Sequence, residues 1–346
     1  MRKIEILDCT LRDGGFAIED AHKTGIKMEV FQKETVKDII SYFNQSKLDI
    51  IELGAVERTD KDVTKFCIYE SIEEISKKIP ANPSKDQLYA AFFRGPDIPL
   101  EDIPNSDDKY CKAIRVAVRY SELEKSLEYC KALSKKGYKI FVQPMLTMRY
   151  KKEELDMIIQ ASNEINAYAL YFVDSYGYMT EQNVHYFLKK YDKKLNSEIK
   201  IGFHSHNNLN LAFSNVKSFI NYETNRDIIV DSCVLGMGQG AGNLQTEIIS
   251  NYLNKNFGKK YNYEMILNIC EIIEKLSPKP LWGYTITTLL PAIHKVAYKY
   301  SINLRERYKL SYAEINYLLE NISEDLRHRY TQENLDILLN LLKKGE

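Results

Sequence analysis

Eight short runs of apolar and β-branched residues, each followed by a stretch with helical spacing, constrain this chain more than any other feature. They are Ile4–Cys9, Ile50–Val56, Leu88–Phe93, Ile114–Arg119, Ile140–Met145, Ala169–Asp174, Ile201–His206 and Ile228–Leu235. Continuous apolar runs of this length are what strands covered on both faces look like, and parallel strands need a crossover, usually helical, between them. Eight strands in this alternation predict an α/β fold, a closed (β/α)8 TIM barrel, ahead of an open doubly wound sheet.

The connecting segments carry the matching signal. Val36, Ile39, Ile40 and Phe43 fall at i, i+3, i+4 and i+7, so one face packs while Lys33, Lys37 and Asp38 stay in water. Ser121–Lys136 and Lys152–Ile165 behave alike. Beyond about residue 258 no further strand pattern occurs. Glu264–Leu276, Thr285–Tyr300, Tyr312–Ile322 and Gln332–Lys343 read as helices, punctuated by Pro278, Pro280 and Gly283. The chain has 346 residues and a barrel takes about 250, so the division expected is a catalytic barrel over 1–258 and a helical C-terminal domain over 259–346.

Charge narrows the partners. Lys+Arg and Asp+Glu both number 48, so no long-range field gathers nucleic acid or an anionic membrane, and small substrates are expected. No apolar stretch approaches the 18 residues of a membrane span, and the start MRKIEILDCTLRDGG has no signal-peptide pattern. The six cysteines are scattered without a CxxC pair, which fits reduced, buried thiols and a cytoplasmic protein.

Active sites of parallel barrels form at the carboxyl ends of the strands. Three polar clusters sit there: Arg12-Asp13-Gly14-Gly15 after the first strand, His204 and His206 on the seventh, and the run GMGQGAGN at 236–243 after the eighth. Two histidines two apart on a strand share a face. With a carboxylate they make a mixed nitrogen and oxygen site that suits Mn²⁺, Mg²⁺, Co²⁺ or Zn²⁺; histidines serving only as hydrogen-bonded or substrate-binding groups are the other reading. Gly14 and Gly15 are expected to let the backbone turn closely. The glycine run could cradle a phosphate, but it lacks the P-loop lysine and opens no Rossmann unit.

In this order, LDCTLRDGG (7–15), GFHSHNNLNLAFSN (202–215) and GMGQGAGNLQTE (236–247) resemble the HMG-CoA-lyase-like metallolyases of the DRE-TIM superfamily, in particular their 4-hydroxy-2-oxovalerate aldolase branch. VDSYGYMTEQNV (173–184) is a weaker match, and LSPKPLWGYTITTLLPAIHKVAYKYS in the tail a looser one. The resemblance implies a lyase in which Asp13, His204, His206 and Asn243 bind a divalent metal, manganese first among the candidates, and Arg12 stabilises an enolate. Its substrates would be a 2-oxo acid such as pyruvate and an aldehyde. It leaves room for a homodimer and for a partner aldehyde dehydrogenase, which in that branch docks on the tail.

One position departs from the pattern. Three residues after the metal aspartate the aldolases carry a histidine that acts as general base, and this chain has Phe16, which takes no proton. His22, six residues on and expected in the same loop, His294 and Glu52 are the candidates for that role; His294 would be delivered by a tail that closes over the mouth. Glu52 and Asp174, at strand ends, are candidate substrate-binding groups. Asp174 could bond a metal-bound water or a ligand histidine, or cap the helix near Thr180. His185 and His328 are expected in helices away from the mouth. Two other functions stay open: a Claisen condensation of an acyl-CoA with a 2-oxo acid, as in the isopropylmalate and citramalate synthases, against which RDGG counts, and a non-catalytic barrel.

Overall fold

The computed structural model describes residues 2–26, 28–59, 61–277 and 282–343. Its strands are β1 (Ile4–Asp8), β2 (Ile50–Val56), β3 (Ile68–Tyr69), β4 (Leu88–Phe93), β5 (Ala113–Val118), β6 (Lys139–Pro144), β7 (Ala169–Asp174), β8 (Lys200–Ser205) and β9 (Ile228–Ser232). All pair in parallel in the order β1-β9-β8-β7-β6-β5-β4-β2. β1 pairs with β9 from Ile4↔Ile228 and with β2 from Leu7↔Ile50, which closes the barrel. All eight expected strands are present. The two-residue β3 is additional and hangs on the end of β2.

The helices are α1 (Thr10–Lys23), α2 (Lys33–Ser46), α3 (Ile72–Ser76), α4 (Leu123–Lys135), α5 (Lys152–Glu164), α6 (Glu181–Lys194), α7 (Ala212–Asn221), α8 (Thr246–Phe257), α9 (Tyr263–Leu276), α10 (Ile286–His294), α11 (Lys299–Glu306), α12 (Tyr312–Glu320) and α13 (Gln332–Lys343). α2 buries Val36, Ile39, Ile40 and Phe43 and leaves Lys33, Lys37 and Asp38 exposed, as its spacing requires. Alternation along the strands sorts side chains to the two faces. Phe172 and Phe203 point outward, stack at 4.5 Å, and meet Phe219 of α7. Tyr171 and Arg115 point inward, the guanidinium 5.0 Å from the ring centre.

Four local expectations are corrected. Gly14 and Gly15 lie inside α1 rather than in a turn. A Cβ on Gly15 would fall 1.9 Å from the Phe66 carbonyl oxygen, so Gly15 is there because the chain after β2 crosses against the helix. His22 ends the same helix rather than lying in a loop. The segment Thr285–Tyr300 is two helices, broken where Lys295 takes a left-handed conformation (φ 56°) and α10 closes with Lys295 N donating to the Ala292 carbonyl and Val296 N to that of Pro291. The last strand ends at Ser232 and Leu235 belongs to a 3₁₀ turn. Pro278 and Pro280 fall outside the described residues.

Hydrophobic packing divides the tail. Ile266, Ile269 and Ile273 of α9, and Trp282 beyond it, join the barrel's core. Leu290, Val296, Tyr300, Leu304, Ile315 and Leu318 form a second cluster among α10–α12. The second unit is tied to the barrel mouth, at the loop after β8 and at α1: Asn208 Nδ2 donates to the Thr288 carbonyl at 2.9 Å, Tyr298 Oη to Asp20 at 2.7 Å and Lys299 Nζ to Asp20 at 2.8 Å. Among the described residues no helix is long and apolar enough to cross a membrane.

Candidate metal centre

β1 ends at Asp8 and the chain turns directly into α1, which sets Arg12 and Asp13 on the first turn of a helix over the barrel mouth. β8 brings His204 inside the barrel, and His206 follows one residue past its end. The loop after β9 folds back across them. Asn207 N donates to the Gly242 carbonyl, Leu244 N to that of Ser205, and Asn243 forms a bridge with His206. That return is tight: Gly242 has φ +77°, and a Cβ there would lie 2.0 Å from the Gly236 oxygen. The glycines of GMGQGAGN thus fold the loop on itself and present Asn243, rather than forming a phosphate cradle.

Asp13, His204 and His206 bring one potential ligand atom each within 4.8 Å of one another. The two imidazole Nε2 atoms are 3.3 Å apart, and His206 Nε2 is 4.0 Å from Asp13 Oδ2. His204 Nδ1 lies 2.9 Å from Asp231 Oδ2. Against a carboxylate that nitrogen carries the proton, so Nε2 is a bare lone pair. Burial, with the positive charge of Arg12 nearby, pushes both histidines below their usual range, so they are neutral. Burial would raise the Asp13 carboxyl, but the Arg12 guanidinium, with the hydrogen bond from Asn243, outweighs it and holds it at about 2. Asn243 Nδ2 bonds Asp13 and the Met237 carbonyl, whereas its buried Oδ1 has no partner among the described residues. Two neutral imidazole nitrogens and an ionised carboxylate converge, with an orphaned amide oxygen on the Asn243 that bonds the carboxylate, and that donor set fits a hard or borderline divalent ion.

Behind the candidate ligands runs a chain of buried ion pairs. Arg12 Nη1 contacts Asp13 at 2.5 Å and its Nε contacts Glu52 at 2.8 Å; Arg115 joins Glu52 at 2.9 Å to Asp231. Arg12 Nη2 is buried without a partner among the described residues. Arg115 and Asp231 were not foreseen, although a charge inside the apolar runs AIRVAV and IIVDS is costly unless paired and is a signal that could have found them. Cys9 and Cys233, both buried, sit with sulfurs 3.3 Å apart beneath Asn243.

Arg12, Asp13, His204, His206, Asn243 and Glu52 come together; Asp174 and His294 stand apart. The Asp174 carboxyl accepts from the amides of Tyr178 and Met179 at 2.9 and 3.0 Å, which shapes the loop before α6. Thr180 caps that helix itself, and burial pushes Asp174 up to about 7. His294 Nε2 bonds Asn316 of α12 at 2.8 Å. Both Glu52 oxygens are occupied by the two guanidiniums. Exposed His22 bonds the Met28 carbonyl, and His185 faces Ser218 on the outer helices. His328 is in no helix; it stacks on Tyr176, just past β7. Phe16 is buried, edge-on to Phe92 at 6.0 Å, with the Arg94 guanidinium 3.9 Å from its ring centre.

A closed parallel barrel with acidic and imidazole groups gathered at its carboxyl-terminal mouth defines an enzyme of the TIM-barrel class. The HMGL-like family model matches residues 3–273, and the chain belongs to that family; it is a carbon–carbon lyase. It is 28% identical over 254 residues to a 4-hydroxy-2-oxovalerate aldolase of Geobacillus genomosp. 3, covering 73% of this chain and 71% of the relative. With the aldolase of the same name from Pseudoalteromonas translucida (strain TAC 125) it shares 32% over 256 residues, 73% of this chain and 70% of the relative. The crystal structure of Bacillus subtilis HMG-CoA lyase matches with a TM-score of 0.62 at 18% identity, over 81% of this chain and 96% of that one. The carboxyl transferase domain of Rhizobium etli pyruvate carboxylase, solved with pyruvate, matches at 0.69 and 12% identity, over 100% and 61%. These two share the fold.

Proposed function

We propose that the protein makes or breaks the carbon–carbon bond of a 4-hydroxy-2-oxo acid through an enolate, with pyruvate or a related 2-oxo acid as the enolate partner and an aldehyde as the other. One observation carries the reading: Arg12 Nη2, buried and unpartnered, lies on the guanidinium that also contacts the candidate ligand Asp13. Asp13, His204, His206 and Asn243 would hold the metal, Mn²⁺ first and Mg²⁺, Co²⁺ or Zn²⁺ as alternatives. A divalent ion bound there supplies a Lewis acid for the oxygen on which charge develops.

The chain's own groups do the remaining work. Glu52 and Asp13 fix two edges of the Arg12 guanidinium, so Nη2 offers a preorganised donor to an oxygen becoming negative. Asp231 fixes the tautomer of His204, and Arg115 fixes Asp231. Phe16 and Phe92 keep one wall dry and apolar. We infer the same organisation expected from the sequence, a catalytic barrel over 1–258 and a helical domain from 259, with α9 bound into the barrel's core.

The test is loss of the pyruvate methyl proton signal in D₂O with and without Mn²⁺. Exchange reports enolate formation without any aldehyde. Metal-dependent exchange in the native protein, abolished in Asp13→Ala and Arg12→Ala, is the expected result; metal binding without exchange would sink the pyruvate reading.

A further inference from the structure

Among the described residues, the interior face of the barrel carries polar groups that the roles above leave unused, the Tyr171 hydroxyl and the Gln143 amide, and of these only the Gln143 oxygen is purely an acceptor. Gln143, the fifth residue of β6, is 3% exposed. Strand alternation puts it on the face of Phe141, whose ring lies 6.2 Å from that of the inward-pointing Tyr171. Gln143 is therefore interior and one pleat nearer the carboxyl ends than Phe141, toward the mouth where Arg12 and the histidines gather. Its register partner on β5 is only Ala117, which leaves its amide uncrowded on that side. The Gln143 Oε1 atom is enclosed, yet it has no hydrogen-bond partner among the described residues.

A buried amide oxygen without a donor lowers stability, and such groups persist where the donor arrives with a ligand. An amide oxygen only accepts, so the group that satisfies it carries an O–H or N–H. The carboxylate and keto oxygens of a 2-oxo acid have none and suit Arg12, and the oxygen that becomes the C4 hydroxyl enters the condensation as an aldehyde carbonyl, which has none either. The rings of Phe16 and Phe92 carry no hydrogen-bonding group of their own, and the Arg94 guanidinium against Phe16 is already paired with Glu19 and Glu57.

We propose that Gln143 binds substrate by accepting a hydrogen bond from a hydroxyl carried by the aldehyde partner, so that the enzyme takes a hydroxyaldehyde in preference to an alkyl aldehyde. This rests on the aldolase reading above. The test compares glycolaldehyde with propanal, two aldehydes of nearly the same size, each with pyruvate and the Mn²⁺-loaded full chain, in the native protein and in Gln143→Met. Methyl proton exchange of pyruvate is followed beside each assay.

The native protein is expected to favour glycolaldehyde by at least about 10-fold in kcat/KM. Gln143→Met should lose about 10- to 100-fold toward glycolaldehyde, mainly in KM, and stay within about twofold toward propanal. Its pyruvate exchange should be unchanged, which shows that the variant is folded and its enolate site intact. Equal losses toward both aldehydes, or no native preference while exchange proceeds, would overturn the proposal and leave the aldolase reading standing. Absence of exchange in the native protein would remove that reading, and this one with it.

Discussion

At the scale of single residues, the site's chemistry was legible where a residue type is costly and its place on a strand end is fixed. Asp13, His204 and His206 could be singled out as a group from the sequence because strand-end placement brings a carboxylate and two imidazoles to one mouth, a set that would suit a cation. What stayed hidden was their support. Asp231 and Arg115 are charged residues within strands, and only closure of the barrel reveals that they face each other and His204. Their position makes a prediction. Asp231→Ala removes the acceptor that fixes the His204 tautomer, leaves the Arg115 guanidinium without that partner, and should weaken Mn²⁺ binding about 10- to 100-fold. Titration of the protein with Mn²⁺, following the free-ion electron spin resonance signal, measures it; unchanged affinity would show that Asp231 serves the barrel's interior and not the ligand.

At the scale of elements, the strands and most helices followed from periodicity, and boundaries failed where a close tertiary approach decides the backbone. Gly14-Gly15 looks like a turn because glycine is a poor helix residue. The reason for glycine at 15, the Phe66 carbonyl, lies fifty residues away in the sequence. Gly15→Ala should therefore destabilise the fold by about 1–3 kcal/mol despite alanine's better helix propensity, read as a lower urea midpoint. A more stable variant would mean that α1 and the segment at Phe66 can move apart. The join between β1 and α8 carries a pH dependence. Asp8 accepts from Thr10 N and from the Thr246 hydroxyl, and burial pushes its carboxyl up to about 7. A carboxyl raised in the folded state favours folding below the unfolded pKa near 4, and this contribution is lost as pH rises to about 7. At about 1.4 kcal/mol per pH unit the loss reaches about 4 kcal/mol at most. Asp8→Asn, which keeps the shape without the charge, should flatten the stability profile between pH 4 and 7. Denaturant midpoints across that range check it, and an unchanged slope would show that the native carboxylate is solvated.

At the scale of the whole molecule, the sequence pointed to a barrel with a helical tail but not to how the two meet. The expectation that the tail could deliver His294 to the mouth meets a different geometry. α10 turns His294 toward Asn316, and the break at Lys295 redirects the chain so that Tyr298 and Lys299 meet Asp20 of α1. Gln239, in the glycine loop that also carries Asn243, bonds the same carboxylate. Asp20 thus joins three pieces: α1 with its Arg12 and Asp13, the loop that presents Asn243, and the tail. Removing its charge should loosen all three together. Asp20→Ala leaves Tyr298 and Gln239 without their acceptor and costs on the order of 1–3 kcal/mol locally. Amide hydrogen exchange should quicken in 237–243 and in α10–α11, while the far strands β5 and β6 keep their protection because their hydrogen bonds do not depend on the tail. If protection falls evenly through the barrel, the tail is part of a single cooperative unit. If the loop keeps its protection while the tail loses it, the tail only rests against the mouth, and Asn243 is held by the glycine loop alone.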